Sequence, residues 1–120
     1  VGAAQKAAQD WGDTPAPIRA GVLYRALDIL RRVGDDIART ITIEEGKPLP
    51  DAQGEVKRAT NIIEYAAGEG RRMFGYTTPS EPPNTMTYAV RSLLGLVEII
   101  TPWNVPIAIP AWENNQALIF

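Results

Sequence analysis

The chain has 120 residues, an apolar fraction of 45%, a charged fraction of 22% and a formal net charge of −2. That length allows one small domain with a modest core, and the absence of a basic block argues against nucleic acid and anionic membrane surfaces as partners. There is no cysteine and no histidine, which excludes disulfides, a thiol nucleophile and the usual near-neutral acid/base within these residues; a zinc site would have to be all-carboxylate, which zinc does not favour, so no metal is expected.

The N-terminal stretch VGAAQKAAQDWGD lacks the basic and apolar regions of a signal peptide. No apolar run approaches the ~20 residues needed to span a bilayer, so the expected location is cytoplasmic. Ala4, Ala7, Ala8 and Trp11 predict a short helix over Val1 to Trp11, stopped by Gly12. Thr14-Pro15 reads as an N-cap followed by a proline at the first helical position. Leu23, Ala26, Leu27, Leu30 and Val33 then predict an amphipathic helix ending near Gly34. Asp35 and Asp36 restart a helix carrying Ile37, Ala38 and Ile41, and Gly46-Lys47-Pro48 closes it.

From Pro50 a longer helix is expected, with Val56, Ala59, Ile62, Ile63, Ala66 and Ala67 on one stripe. Gly68 and Gly70 interrupt it, each costing about 1 kcal/mol against alanine, which implies close backbone packing on a neighbour. The helix fades at Gly75, and YTTPSEPPN reads as a proline-rich connection. The period then changes: Met86, Tyr88 and Val90 alternate with polar or small residues, a strand pattern. Ser92 to Gly95 makes a turn. Leu96 to Ile100 is a second strand, apolar apart from Glu98, of the buried parallel kind. From Pro106 the residues Ile107, Ala108, Ala111 and Trp112 begin another helix. The predicted order is four helices, a hairpin-like pair of strands, a corner and a helix, the last part being the start of a βαβ unit. The chain begins without methionine and ends on the apolar run Ala117 to Phe120, so a segment of a longer chain is expected.

The corner, Ile100-Thr101-Pro102-Trp103-Asn104, lies at the carboxyl end of the second strand, where open α/β sheets bind ligands. Pro102 and Pro106 fix φ, Trp103 offers a flat apolar surface, and the Asn104 amide can donate to a developing oxyanion. The competing reading is that Asn104 caps the next helix and Trp103 fills core. On pattern alone the cap reading leads, because asparagine is a leading N-cap.

The stretch GLVEIITPWNVPIAIPAW resembles the entry into the cofactor-binding domain of aldehyde dehydrogenases. EEGKPLPDAQGEVKRATNIIEYAAGEGRRMFG is similar to the helical segment of that superfamily, and TPSEPPN followed by a strand to its linker into the oligomerisation strand. The resemblance runs over nearly the whole chain in the family's order. Its closest flavour is the dehydrogenases of semialdehydes and other small aldehydes. It implies that Ile100, Thr101, Pro102 and Trp103 line the nicotinamide end of NAD or NADP, and that Asn104 is an oxyanion-hole donor. In the family a catalytic cysteine attacks the aldehyde, hydride passes to the cofactor and water releases the acid. The family's cysteine, general-base glutamate, ribose-binding lysine and glycine-rich turn would all lie beyond residue 120. Leu94 departs from the usual proline before Gly95, and Glu98 stands where a small or apolar residue is usual. Glu113 replaces a lysine, and Asn114, Asn115 and Gln116 replace apolar or rigid residues, which weighs against a regular last helix.

Other features read most simply as structure. Glu44-Glu45 with Lys47 is a solvated, charged helix end. Arg71-Arg72 complements a helix dipole, and Glu64, Tyr65 and Glu69 form a surface group. Gly68-x-Gly70 lacks the strand and third glycine of a dinucleotide fingerprint. The alternation from Met86 to Val90 fits an edge strand for subunit pairing or an internal hairpin; the resemblance favours the intersubunit role.

The expected fold is therefore α/β. Residues 1–83 form an N-terminal helical segment, 84–91 an oligomerisation-type strand, and 92–120 the first strand and helix of a Rossmann-like cofactor domain. The expected function is a segment of an NAD(P)-dependent oxidoreductase acting on a small-molecule aldehyde, with the parent a homodimer or homotetramer. The alternative is a non-catalytic helical interaction module.

Overall fold

The structure, a computed structural model, describes residues 1–120. Its elements in chain order are α1 (Gly2–Asp13), α2 (Ala16–Glu45), α3 (Leu49–Glu69), β1 (Tyr76–Thr78), β2 (Thr87–Ala89) and α4 (Ala108–Ile119). It is an α/β architecture in which helices dominate and the sheet is a two-stranded ribbon.

The core is a helical hairpin with a third helix laid on it. α2 carries Leu23, Leu27, Leu30, Ala38 and Ile41 inward, and α3 answers with Ala52, Val56, Ala59, Ile63, Ala66 and Ala67. The stripe on α2 runs through Gly34 without a break, so one helix of 30 residues replaces the two expected. Gly34 is a packing position: a Cβ there would lie 3.1 Å from Val56 Cγ1. The turn at Gly46 was foreseen and holds a φ of 80°, the left-handed conformation that lets glycine end a helix. Because the connection to α3 is only Gly46–Pro48, the two helices run antiparallel.

Several helix ends differ from expectation. α1 continues through Gly12 to Asp13, and a Cβ on Gly12 would meet Leu93 Cδ1 at 2.7 Å. Thr14 does not cap α2; its hydroxyl donates to the Asp10 carbonyl at 2.8 Å and closes α1. α3 starts at Leu49 and stops at Glu69, well before Gly75. Gly70, but not Gly68, makes the expected close approach: a Cβ at 70 would sit 2.7 Å from Ala20 Cβ and 2.9 Å from the Ala16 carbonyl oxygen, whereas one at 68 would meet only the Arg72 guanidinium.

The strand pairing is the largest correction. Tyr76–Thr78, expected as part of a loop, pairs antiparallel with Thr87–Ala89 in the register Tyr76↔Ala89, Thr77↔Tyr88 and Thr78↔Thr87. Leu96 to Ile100 takes no strand assignment. A strand of the buried parallel kind needs hydrogen-bonded neighbours on its edges, and no other segment of this chain lies alongside to supply them. Ser92 to Gly95 does not form the expected turn either, although Gly95 adopts a left-handed φ of 89°.

α4 forms in spite of its polar run. Asn115 is buried and returns its Nδ2 to the Ala111 carbonyl, and Ile119 is fully enclosed in the core. The C-terminal end is tied down twice, by Trp11 Nε1 donating to the Leu118 carbonyl at 3.0 Å and by Arg19 donating to the Ile119 carbonyl at 2.9 Å. From Arg71 to Ile107 no residue is buried. The radius of gyration is accordingly 18.3 Å, against about 14 Å for a compact chain of this length.

Candidate active site

The first four N–H groups of a helix have no partner within it. At the start of α4 the side chain that meets them comes from α3. Glu55 Oε1 accepts from the Ile107 N–H at 2.8 Å and from the Ala108 N–H at 3.3 Å. A carboxylate at a helix N-terminus also complements the helix dipole. The other oxygen, Oε2, takes a hydrogen bond from Lys47 Nζ. Lys47 sits in the α2–α3 connection, and the same Nζ donates to the Asn104 backbone carbonyl at 2.8 Å. Glu45 Oε2 lies 3.5 Å from it.

These charges are well sheltered: the side chains of Glu55, Lys47 and Glu45 are 6%, 16% and 18% exposed. The solvated helix end expected at Glu44-Glu45 and Lys47 is therefore corrected for two of the three; Glu44 alone is open to solvent. Burial pushes the Glu55 carboxyl up. The hydrogen bonds from Lys47 and from the Ile107 and Ala108 amides outweigh it and leave the group below the usual carboxylate range. The Lys47 ammonium is held above its ordinary value, chiefly by its hydrogen bond to Glu55, with burial opposing and both glutamate charges assisting.

Above this cluster sits the corner. Ile100 and Trp103 are 85% and 81% exposed, Pro102 is exposed and Thr101 half-buried. Trp103 and Asn104 form a turn. The helix begins after Ile107, and no side chain of its own caps it. The reading of Asn104 as a helix cap and Trp103 as core filler is thus set aside: Glu55 satisfies the helix, Trp103 is open, and the Asn104 carboxamide makes no hydrogen bond. From Thr101 to Asn104 the chain carries a half-buried hydroxyl, a rigid exposed proline, an exposed ring and an unengaged amide.

The sequence signature of the aldehyde dehydrogenase family matches residues 1–120, the whole chain. The chain belongs to the aldehyde dehydrogenase family. Among curated relatives it is 39% identical over 120 residues to the alpha-ketoglutaric semialdehyde dehydrogenase of Bacillus subtilis, covering 100% of this chain and 25% of that protein. It is 38% identical over 109 residues to the 2,5-dioxopentanoate dehydrogenase of Saccharolobus solfataricus, covering 91% of this chain and 23% of that one. A solved aldehyde dehydrogenase from Brucella melitensis biovar abortus superimposes with a TM-score of 0.94 at 38% identity, over 98% of this chain and 24% of that one. A 3,6-anhydro-L-galactose dehydrogenase solved in complex with NAP gives a TM-score of 0.89 at 33% identity, over 97% of this chain and 24% of its own. The chain thus spans about a quarter of the length of the relatives it matches, and it corresponds to their N-terminal part.

In this aldehyde dehydrogenase chain the remaining candidates are engaged elsewhere. Arg72 donates to Glu69 Oε1 at 3.0 and 2.7 Å and lies 6.0 Å from the Tyr65 ring centroid, so it holds a side chain rather than the helix carbonyls. Glu64 pairs with Arg31 at 3.2 Å, linking α3 to α2. Two residues were missed altogether. Glu55 stands on the apolar stripe of α3 one turn from Ala52 and Ala59. Arg19 stands on that of α2 one turn before Leu23. A charge at a position the period reserves for the core was the available signal.

Proposed function

We propose that the chain forms the N-terminal part of an NAD(P)-dependent aldehyde dehydrogenase that oxidises a semialdehyde to the corresponding acid through a cysteine supplied from outside these residues. Asn104 is the oxyanion donor. When the thiolate adds to the carbonyl carbon, the carbon–oxygen π bond breaks and negative charge gathers on oxygen. A preorganised amide stabilises that charge because it need not reorient as it develops. The observation that carries the reading is the carboxamide of Asn104: it is exposed and without a protein partner, on a turn whose backbone is anchored by Lys47 at 2.8 Å.

Ile100, Thr101, Pro102 and Trp103 would hold the nicotinamide end of the cofactor, which when bound supplies the hydride acceptor. They fit that role in kind, since an open indole and a proline make a flat apolar ledge beside a hydroxyl. The relatives named for semialdehydes support the substrate class. The edge strand β2 supports pairing between subunits in a homodimer or homotetramer.

The test is a chimera in which this chain replaces the matching stretch of the Bacillus subtilis relative. NAD(P)-dependent oxidation of semialdehydes should survive. Asn104→Ala should lower kcat by roughly 10²–10³, the loss typical of one oxyanion donor. A folded chimera that turns over no aldehyde, or one indifferent to Asn104→Ala, rejects the proposal.

A further inference from the structure

We infer that Lys47 and Glu55 are positioning residues for the reaction: they lock the Trp103–Asn104 turn so that the Asn104 carboxamide is offered in one orientation. This rests on the oxyanion reading of Asn104 given above. The two prolines of the corner fix φ at 102 and 106 only. Each also restricts the residue before it, Thr101 and Val105, to extended backbone, but Trp103 and Asn104 stay unrestricted, so proline alone does not set the direction of Asn104. The lock closes the gap at both ends of the turn. Lys47 holds the carbonyl of Asn104 at 2.8 Å, and Glu55 holds the N–H groups of Ile107 and Ala108 at 2.8 and 3.3 Å. The Lys47–Glu55 hydrogen bond joins the two clamps into one unit.

A helix cap needs only the Oε1 contacts of Glu55. The third arm, from Lys47 to the carbonyl of Asn104 itself, adds nothing to the cap and fastens the residue assigned to chemistry. The base of the lock is rigid: Lys47 lies between Gly46 at φ 80° and Pro48, and Glu55 rides on a long helix packed into the core. Sheltered ionic hydrogen bonds of this kind are hard to break one at a time, because each break leaves a charge without its partner. Glu45, at 3.5 Å, is the remaining titratable group against Lys47.

The experiment is a double-mutant cycle in the chimera, with kcat and KM measured separately. Lys47→Met should lower kcat by roughly ten- to a hundredfold, the range that a small misplacement of a reacting group costs, with little change in KM. Lys47→Arg, which keeps a cation and several donors, should recover most of the loss. The combined Lys47→Met and Asn104→Ala variant should be no slower than Asn104→Ala alone, because Lys47 acts through that amide. Multiplying losses, or an unchanged kcat in Lys47→Met, would overturn the inference while leaving the role of Asn104 standing. Normal turnover in Asn104→Ala would overturn both. Should Lys47→Met fail to fold in the chimera, fluorine NMR of the chimera labelled with 5-fluorotryptophan and carrying the milder Lys47→Gln decides. The Trp103 resonance, assigned by its loss in Trp103→Phe, should sharpen and move in Lys47→Gln while the Trp11 and Trp112 resonances hold. An unmoved Trp103 signal overturns the inference.

Discussion

Arg19 donates through Nη2 to the carbonyl of Ile119 at 2.9 Å, joining the start of α2 to the last turn of α4. Its Nη1 reaches the carbonyls of Thr14, Trp11 and Gly12 at 2.8, 3.3 and 3.4 Å. All four acceptors lie at the C-terminal ends of α1 and α4, where a cation complements the helix dipole. The residue is 4% exposed; its bond to the Ile119 carbonyl is buried and the three at the end of α1 are half-buried. Arg19→Met keeps the volume and removes every donor. It should destabilise the chain by about 2–4 kcal/mol, since one buried and three half-buried acceptors lose a charged partner. Urea unfolding followed by circular dichroism reads this directly, and a change under about 0.5 kcal/mol would show that water reaches the carbonyls.

Gly70 and Gly54 make a contrasting pair. Gly70→Ala would bring a methyl to 2.7 Å from Ala20 Cβ and 2.9 Å from a backbone oxygen of α2, and overpacking of this kind costs about 1–3 kcal/mol. At Gly54, inside α3, nothing lies within 4 Å. Gly54→Ala should stabilise by about 0.4–1 kcal/mol, through helix propensity and the unfolded state. Thermal melts that move in opposite directions are the expected result.

That pair also marks what the sequence can and cannot disclose. Gly68 and Gly70 look alike in one dimension, yet only Gly70 touches α2, because only its face turns towards Ala16 and Ala20. Gly34 resembled a stop for the same reason: propensity is local, and the stripe from Leu30 to Ala38 on either side of it overrode the local signal once α3 was there to bury it. The turn at Gly46-Lys47-Pro48 and the apolar stripes were legible, since glycine, proline and period act through neighbouring residues. The β1–β2 register was not, because Tyr76–Thr78 is short and lies beside prolines. The corner was legible as a motif, and its anchoring was not: Lys47 and Glu55 lie 57 and 49 positions before Asn104 in the numbering, and no local pattern encodes such a distance.

The ionic cluster gives stability a pH dependence with a definite sign. The Glu55 carboxyl is depressed in the fold from an ordinary value of 4.5, so its contribution is complete above that pH and is lost as pH falls through the lower, folded value. The Lys47 ammonium is raised from 10.5, so its contribution is complete below that pH and is lost as pH rises through the higher, folded value. Between these limits the cluster is intact. Glu55→Gln should flatten the acid limb of the stability profile and leave the neutral plateau lower. An acid limb identical to that of the parent chain would assign the loss to other carboxylates.

Leu94, Leu96, Ile100 and Trp103 are 93%, 50%, 85% and 81% exposed, as are Met86 and Val90 at 79% and 72%. Large apolar side chains exposed in this number favour association, and the unpaired edge of β2 offers a second route. The 120-residue chain should therefore self-associate as its concentration rises, with a sedimentation coefficient that increases accordingly. A monodisperse monomer at all concentrations would favour the reading of a self-contained helical module.

The sharpest test concerns Asn104→Asp. Aspartate matches asparagine in size and caps helices equally well, so a residue acting as a cap would tolerate the change. Here Glu55 already satisfies the Ile107 and Ala108 amides, and the Asn104 carboxamide makes no hydrogen bond. Stability should thus shift by less than about 0.5 kcal/mol for either Asp or Ala at this position, as for a surface site, whereas a true cap would lose about 1 kcal/mol on going to Ala. Turnover in the chimera should separate the two variants from the parent in a different way. Alanine removes a donor and lowers kcat by roughly 10²–10³. Aspartate adds a negative charge beside a developing oxyanion and should be slower still. The expected pattern is two variants as stable as the parent, ordered parent, alanine, aspartate in falling kcat. An Asp variant that is both stable and fully active would show that no charge develops on an oxygen near Asn104.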